Sequence, residues 1–205
     1  IGSMLGVTSP DRLVTPGGAR AGDVLMLTKG LAIEGTALLA QERAAELIPL
    51  VGEDMVRRAS RLLHDPGISV VADCQAATTV SGVTALHDPT EGGLATAIRE
   101  IATPAGLGAS VNGDRIPMLP ESVAICEALG LDPLGLLASG SLLLAATPEF
   151  AADVRVAIGA SGIPVSEIGV LTEDRAFTIS RNGVLEPLPD FAVDEIARLN
   201  AASRE

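Results

Sequence analysis

The segment His-Asp-Pro-Thr-Glu-Gly-Gly-Leu at positions 87–94 is the feature that most constrains the fold of this chain. It follows a short apolar run at residues 83–86 and opens a stretch in which Leu94, Ile98 and Ile101 recur at helical spacing. The pattern predicts a strand, a tight loop and an amphipathic helix in immediate succession. The loop is therefore the first candidate for a functional site.

Two adjacent glycines, Gly92 and Gly93, distinguish the loop from an ordinary helix start. Thr90 is a natural N-cap and Glu91 suits the positive end of the helix dipole, so the helix could begin without glycine. Each glycine in a helical turn costs about 1 kcal/mol relative to alanine. Either the glycines expose backbone N–H groups to an anion, or they permit close packing of the helix on the strand.

A second strand, loop and helix with glycines at the joint occurs nearer the N-terminus. Residues 23–28 are typical of a strand buried on both faces, and residues 37–47 have a helical pattern. Lys29 would place a positive charge beside a phosphate, and Glu34 would orient a ligand hydroxyl or a metal-bound water. Alternatively, Lys29 is a solvated charge at the end of a strand, and Glu34 is a carboxylate in the first turn of a helix, where the helix dipole favours it. The glycines of this loop are Gly30 and Gly35.

Helices and strands alternate along the rest of the chain, which favours a layered α/β fold in one domain. The clearest signals are a helix bounded by Pro120 and Gly130 and a type I′ hairpin at Asn182-Gly183. Weaker patterns predict a strand over residues 1–7, a strand over 68–71 and a helix over 149–160 that buries Phe150.

Composition excludes several classes of protein. With three Phe and no Trp or Tyr, the core must be aliphatic and there is almost no aromatic platform for nucleic-acid bases. The formal net charge of −12 disfavours binding to nucleic acid and to anionic membranes. No apolar run approaches the ~18 residues of a membrane helix, and no signal-peptide pattern is present. We expect a cytoplasmic protein that acts on a small molecule, with two inert thiols at Cys74 and Cys126.

Three stretches together resemble the C-terminal half of the hydrogenase maturation HypE-like proteins and their relatives in the aminoimidazole ribonucleotide (AIR) synthase superfamily. Residues 87–102 resemble the family segment Asp-Pro-Thr-x-Gly-Gly-Leu-Ala-Thr-Ala. Residues 16–36 are similar to the segment that opens the C-terminal domain. Residues 137–144, Leu-Ala-Ser-Gly-Ser-Leu-Leu-Leu, are similar to the family's third glycine-containing turn. The combination of the three is more specific than any one of them.

The resemblance implies the AIR synthase C-terminal fold, a three-layer α/β/α arrangement on a mixed sheet. In that superfamily a separate N-terminal domain forms a dimer and supplies most ligands of ATP and Mg²⁺, while the C-terminal domain closes over the nucleotide or substrate. This chain begins abruptly at Ile1 and contains no such domain, so we expect residues 1–205 to be a single domain cut from a longer protein. Its expected partners are its own N-terminal domain and a second copy in a homodimer. The isolated chain should be inactive and bind no cofactor tightly.

The family pattern and the residue chemistry together give a set of candidate ligand-binding residues around one cleft. An imidazole beside the motif acts either as a hydrogen-bonded structural group or as a general base, and both readings stay open. No catalytic residue and no metal ligand is assigned. The candidates are Lys29, Gly30, Glu34, Gly35, His87, Asp88, Thr90, Glu91, Gly92, Gly93, Ser139 and Gly140.

The acidic members of this set, Glu34, Asp88 and Glu91, favour a particular form of ligand. A bare phosphate beside three carboxylates would be repelled, so a magnesium-complexed phosphate fits better. The resemblance implies phosphoryl transfer from ATP to an oxygen of a small substrate. It does not extend to the C-terminal cysteine that accepts the transferred group in HypE, since residues 201–205 contain none. The alternative function is a non-catalytic module of the same fold for ligand sensing or subunit assembly.

Overall fold

One mixed sheet of seven strands forms the centre of the structure. The computed structural model describes residues 6–10 and 13–202 of the 205-residue chain. The strands are β1 (Val24–Thr28), β2 (Val83–His87), β3 (Gly108–Asn112), β4 (Leu143–Ala146), β5 (Val165–Thr172), β6 (Phe177–Arg181) and β7 (Val184–Pro187).

The strand order across the sheet is β2-β4-β1-β5-β3-β6-β7. The pair β3–β6 is parallel, whereas the other neighbouring pairs are antiparallel. This mixture of directions confirms the mixed sheet that the family resemblance implied. Because β2, β4 and β1 are neighbours, the loops at their ends meet at one edge of the sheet.

Helices cover both faces of the sheet, which confirms the three-layer arrangement. Within the described residues the helices are α1 (Ile33–Glu42), α2 (Ala44–Val51), α3 (Glu53–Arg61), α4 (Val71–Ala77), α5 (Gly93–Ala102), α6 (Pro120–Leu129), α7 (Ala151–Ala160) and α8 (Glu195–Ala202). None of them combines the length and the apolar character that a helix needs to cross a membrane.

The alternation of side chains along β1 produces the two apolar layers. Leu25 and Leu27 point to the larger cluster, which contains residues of α1, α2, α3, α5 and α6. Val24 and Met26 point to the smaller cluster, which contains residues of α4 and α7. The buried side chains of both clusters are mainly aliphatic, as the composition predicted, and all four residues of β4 are buried.

Several local predictions are confirmed. The helix between Pro120 and Gly130 runs over Pro120–Leu129, and Gly130 ends it in the left-handed conformation at φ 63°. The hairpin at Asn182 and Gly183 joins β6 to β7, with both residues at positive φ. The helical pattern at residues 37–47 corresponds to two helices, α1 and α2, that are separated at Arg43.

Other local predictions are wrong or lie outside the described residues. The strand expected over residues 68–71 is absent, because Ile68 and Val71 are exposed and α4 begins at Val71. Phe150 precedes α7 and packs over Gly82 instead of lying on the inner face of the helix. Most of the strand expected over residues 1–7 lies outside the described residues.

The C-terminal helix α8 is attached to the core by Glu195, whose side chain is 6% exposed. Its carboxylate accepts a hydrogen bond of 3.0 Å from the backbone N–H of Asp132 and forms a 2.6 Å ion pair with Arg198. The hydrogen bond from Arg198 is the main cause that lowers the pKa of Glu195 below its ordinary value of 4.5. Ionised Glu195 therefore stabilises the attachment of α8.

We expect the substitution Glu195→Gln to lower the free energy of unfolding near neutral pH by about 1 kcal/mol, because an ionic hydrogen bond becomes a neutral one. Since the pKa of Glu195 is lowered by folding, its contribution is present above pH 4.5 and is lost as the pH falls through the folded-state pKa. Urea unfolding of both proteins at about pH 7 and about pH 4 measures the difference. It should shrink at the lower pH.

The control is Glu186→Gln, which removes the same charge from the exposed pair of Glu186 with Arg181, 3.6 Å apart. Its effect should stay below about 0.5 kcal/mol at both pH values. An equal effect of Glu195→Gln at both pH values would contradict the ionic explanation.

Candidate functional site

Three glycine-containing loops lie side by side at one edge of the sheet. His87 at the end of β2 is opposite Leu143 at the start of β4, and Leu27 of β1 is opposite the same residue. The backbone of Thr28 continues this pairing with Leu142 at 3.1 Å. We call residues 29–35, 87–93 and 139–142 together the loop edge. The structure thus brings together the three stretches that carried the family resemblance.

Backbone hydrogen bonds connect the loops to one another. The amide of Glu34 donates to the carbonyl of Ser139 at 3.2 Å, and the amide of Gly35 donates to the carbonyl of Leu137 at 3.0 Å. The amide of Ala138 donates to the carbonyl of Thr90 at 3.2 Å. The amides of Glu34 and Gly35 in the first turn of α1 are therefore satisfied within the protein, and hydrogen bonds join the three loops to one another.

The structure contradicts the interpretation in which Gly92 and Gly93 expose free amides to an anion. The N–H of Gly92 donates to the Oδ2 atom of Asp194 at 2.9 Å, and the N–H of Gly93 donates to the carbonyl of Thr90 at 3.1 Å. The N-cap of α5 is Gly92, with φ 78° and no side chain to cap the helix, so Thr90 is not the N-cap. Asp194 precedes α8 and supplies the negative charge that the start of α5 attracts.

Close packing explains both glycines. Their φ values of 78° and 65° are left-handed, which favours glycine. A Cβ atom at Gly93 would lie less than 3.0 Å from the carbonyl oxygens of Leu134 and Leu136. Of the two interpretations that the sequence left open, the structure favours packing.

Packing also explains the glycines of the other two loops. A Cβ atom at Gly30 would lie less than 3.0 Å from the side chain of Leu119, and one at Gly35 would be as close to Leu136 and to the carbonyl of Leu137. Gly140 has φ 112° and is buried against Ile33. These glycines let the loops approach one another.

Lys29 belongs to a buried network and is not available to a phosphate in this structure. Its Nζ atom lies 3.0 Å from the carboxylate of Asp73 and donates to the carbonyls of Ser69 at 2.7 Å and Gly140 at 2.9 Å. Three internal acceptors, one carboxylate and two carbonyls, therefore surround the ammonium group. Asp73 is fully buried, and its Oδ1 atom accepts a hydrogen bond of 2.6 Å from the hydroxyl of Thr28 while its Oδ2 atom forms the ion pair with Lys29.

His87 is turned towards α5. Its Nε2 atom lies 2.7 Å from a carboxylate oxygen of Glu100, and its Nδ1 atom lies 4.0 Å from Asp88. The imidazole is 19% exposed. Within the loop edge, His87 is thus a hydrogen-bonded group, in agreement with one of the two interpretations of the sequence.

Five of the candidate residues present accessible side chains at the loop edge. The carboxylates of Asp88 and Glu91 are exposed, with Asp88 at 71%. Glu34, Thr90 and Ser139 are half-buried. Among the described residues, no three His, Cys, Asp or Glu side chains come together as metal ligands. The described part of the chain therefore offers polar and acidic contacts, and does not fit a resident metal ion.

Neither thiol is set up as a nucleophile. Cys74 follows Asp73 on α4, and burial, reinforced by the charge of Asp73, raises its pKa. Burial raises the pKa of Cys126 to about 12. Both residues remain protonated near neutral pH, in agreement with the interpretation of the sequence.

We expect Gly93→Ala to destabilise the fold by at least about 3 kcal/mol, since left-handed strain and a backbone clash both oppose the methyl group. Gly130→Ala is the matched control. Gly130 has almost the same φ, 63° against 65°, but no atom lies within 4 Å of its Cβ position. Gly130→Ala should lower the free energy of unfolding only by the cost of the left-handed strain, about 1–2 kcal/mol. Equal losses in urea unfolding experiments would contradict the packing explanation.

Comparison with known proteins agrees with this arrangement. The family model described as AIR synthase related protein, C-terminal domain, matches residues 20–182. The carbamoyl dehydratase HypE of Cupriavidus necator is 36% identical over 139 residues, which are 68% of this chain and 36% of that protein.

Solved structures share the fold. The crystal structure of E. coli HypE has a TM-score of 0.75 and 25% identity, over 91% of this chain and 55% of that one. A crystal structure of HypE in complex with ATP has a TM-score of 0.67 and 21% identity, over 92% of this chain and 56% of that one. This chain therefore spans little more than half the length of the HypE chains in those crystals. Because the family model covers four-fifths of the chain and all strands from β1 to β6, the chain belongs to the AIR synthase related proteins, as a C-terminal domain of that family.

Proposed function

We propose that this chain is the C-terminal domain of a HypE-like, ATP-dependent protein and closes over a magnesium-bound nucleotide or a phosphorylated small substrate at the loop edge. The observation that carries the proposal is the convergence of three family loops on one edge of the sheet, with Asp88, Glu91, Glu34 and Ser139 accessible there. A binding surface at the ends of strands, built from several loops, is the usual arrangement in layered α/β folds.

The chemistry of the relatives supports ATP as the nucleotide. One HypE of the same fold holds ATP in its crystal structure, and several relatives are named carbamoyl dehydratases. Dehydration of an amide group requires its oxygen to leave, and transfer of a phosphoryl group to that oxygen makes it a better leaving group. Phosphoryl transfer needs mainly positioning and charge neutralisation. A rigid loop edge with polar side chains can contribute to positioning.

The residues of the loop edge would act on the ligand through their side chains. The backbone amides of Gly35, Gly92 and Gly93 are used within the protein, so the glycines fix the shape of the rim. Asp88 and Glu91 would repel a bare phosphate by about 1 kcal/mol per charge at 4 Å in water. A phosphate whose charge is offset by Mg²⁺ avoids this penalty. Since the described residues do not fit a resident metal, the ion would arrive on the nucleotide.

A second domain would complete the site. The relatives of this chain are longer than the chain itself, and the match with the C. necator protein covers 36% of that protein. We propose that an N-terminal domain, paired in a homodimer, supplies the remaining ligands of the nucleotide. On this proposal residues 1–205 alone should hydrolyse no ATP above background in a coupled assay, and measurable turnover by the chain alone would contradict it.

The test uses the longer protein that, on this proposal, contains this chain and an N-terminal domain. We expect it to bind ATP at least ten-fold more weakly in EDTA than in MgCl₂, because the acidic loop edge disfavours uncomplexed phosphate. Isothermal titration calorimetry gives both affinities. The double substitution Asp88→Asn and Glu91→Gln should reduce this preference for magnesium. Glu149→Gln, an exposed carboxylate that precedes α7, is the control and should leave the preference unchanged. Equal affinities with and without magnesium would count against the proposed mode of binding.

A further inference from the structure

A phosphate at the loop edge needs donors that the glycine loops do not supply. The amides of Gly92 and Gly93 are bonded to Asp194 and Thr90, and the ammonium of Lys29 is surrounded by internal acceptors. An anionic group is held most strongly by charged hydrogen-bond donors. Such donors would have to come from cationic side chains elsewhere on the same edge of the sheet.

The same edge continues from β1 to β5 and β3. Val165 at the start of β5 is opposite Thr28, the last residue of β1. Strand β3 is antiparallel to β5 and ends at Asn112 on the same side, where the short helical turn Gly113–Arg115 follows. Arg115 therefore lies at the edge of the sheet that carries the loop edge, two strands beyond β1.

A surface cavity of about 610 Å³ opens at this position. Its volume lies within the range of small-molecule sites. We call it the arginine cavity, and its lining residues are Arg115, Arg155, Val165, Ser166 and Glu167. It contains two guanidinium groups, one hydroxyl and one carboxylate, and so has a net charge of +1 in a chain whose formal net charge is −12.

The arginines of the cavity retain unused donors. Arg155 lies 3.4 Å from Glu167 through its Nε atom, and this is its ion pair in the structure. Arg115 is exposed and has no carboxylate partner among the described residues. Most described arginines are paired with carboxylates, and these are Arg43, Arg57, Arg58, Arg99, Arg155, Arg181 and Arg198.

We propose that the arginine cavity binds a phosphate group, held by Arg115 and Arg155 with the hydroxyl of Ser166 as a further donor. The planar fork of arginine matches the oxygen spacing of phosphate, and two forks offer more donors than one carboxylate can accept. The phosphate belongs either to a nucleotide or to a phosphorylated small substrate. The identity of this ligand rests on the proposed function, whereas the position of its anionic group rests on the cavity.

Substitution of Arg115 tests the proposal. In the first experiment, inorganic phosphate is titrated into the 205-residue chain and binding is followed by ³¹P NMR. In the second, ATP with MgCl₂ is titrated into the longer protein that contains the chain. Arg115→Ala should weaken the binding of phosphate at least about five-fold, the loss of a charged hydrogen-bond donor. Arg61→Ala is the matched control. Arg61 is also exposed and without a carboxylate partner among the described residues, but it does not line the cavity. It should leave the affinity unchanged.

The outcomes separate the two possible ligands and the two proposals. Weaker binding of both phosphate and ATP by Arg115→Ala supports a nucleotide phosphate in the cavity. Weaker binding of phosphate alone supports a phosphorylated substrate. If both ligands bind Arg115→Ala and Arg61→Ala as tightly as the unsubstituted protein, the cavity is not the phosphate site, although the proposed function stands. If neither ligand binds the unsubstituted protein, both proposals fail.

Discussion

The buried ion pair of Lys29 and Asp73 is the interaction on which the loop edge depends. It joins the end of β1 to α4, and the remaining donors of Lys29 fasten the third loop at Gly140 and the turn at Ser69. Removing two charges from water is expensive, and such a pair persists only when its other hydrogen-bonding groups are satisfied. Thr28 meets this need, since its hydroxyl donates to Asp73 and accepts from the amide of Leu142. Strand, helix and loop are thereby fixed to one another beneath the surface.

The glycines and Asp194 give the loop edge a different character from an anion-binding glycine loop. The start of a helix attracts negative charge whether that charge comes from a ligand or from the protein itself. Here the carboxylate of Asp194 supplies the negative charge at the start of α5 by accepting a hydrogen bond from the amide of Gly92. The same carboxylate caps α8 by accepting a hydrogen bond of 2.8 Å from the amide of Ile196. One side chain therefore links the start of α5 to the start of α8. What remains available to a ligand at this edge is side-chain chemistry.

The sequence predicts well those features that neighbouring residues determine. Pro120 and Gly130 bound a helix through their own backbone preferences, and Asn182 with Gly183 forms a hairpin for the same reason. The sheet and its layers follow from apolar runs such as β1. In contrast, the partners of Lys29 and Gly92 lie 44 and 102 residues away along the chain, so no local pattern identifies them. The sequence therefore located the loops correctly but could not tell that their amides are occupied.

Charge is unevenly distributed along the one sheet edge. Accessible carboxylates, Asp88, Glu91 and Glu34, lie at its β2–β4–β1 end, and the two arginines of the arginine cavity lie at its β5–β3 end. Neighbouring strands are about 4.8 Å apart, so β2 and β3, which are four spacings apart in the sheet, are separated by about 19 Å. Such an edge would orient a ligand that carries both a phosphate and a cation. The arginines would attract the phosphate, and the carboxylates would attract the cation and repel the phosphate. Orientation of this kind depends on where charges lie in the fold, and it requires no open backbone amides.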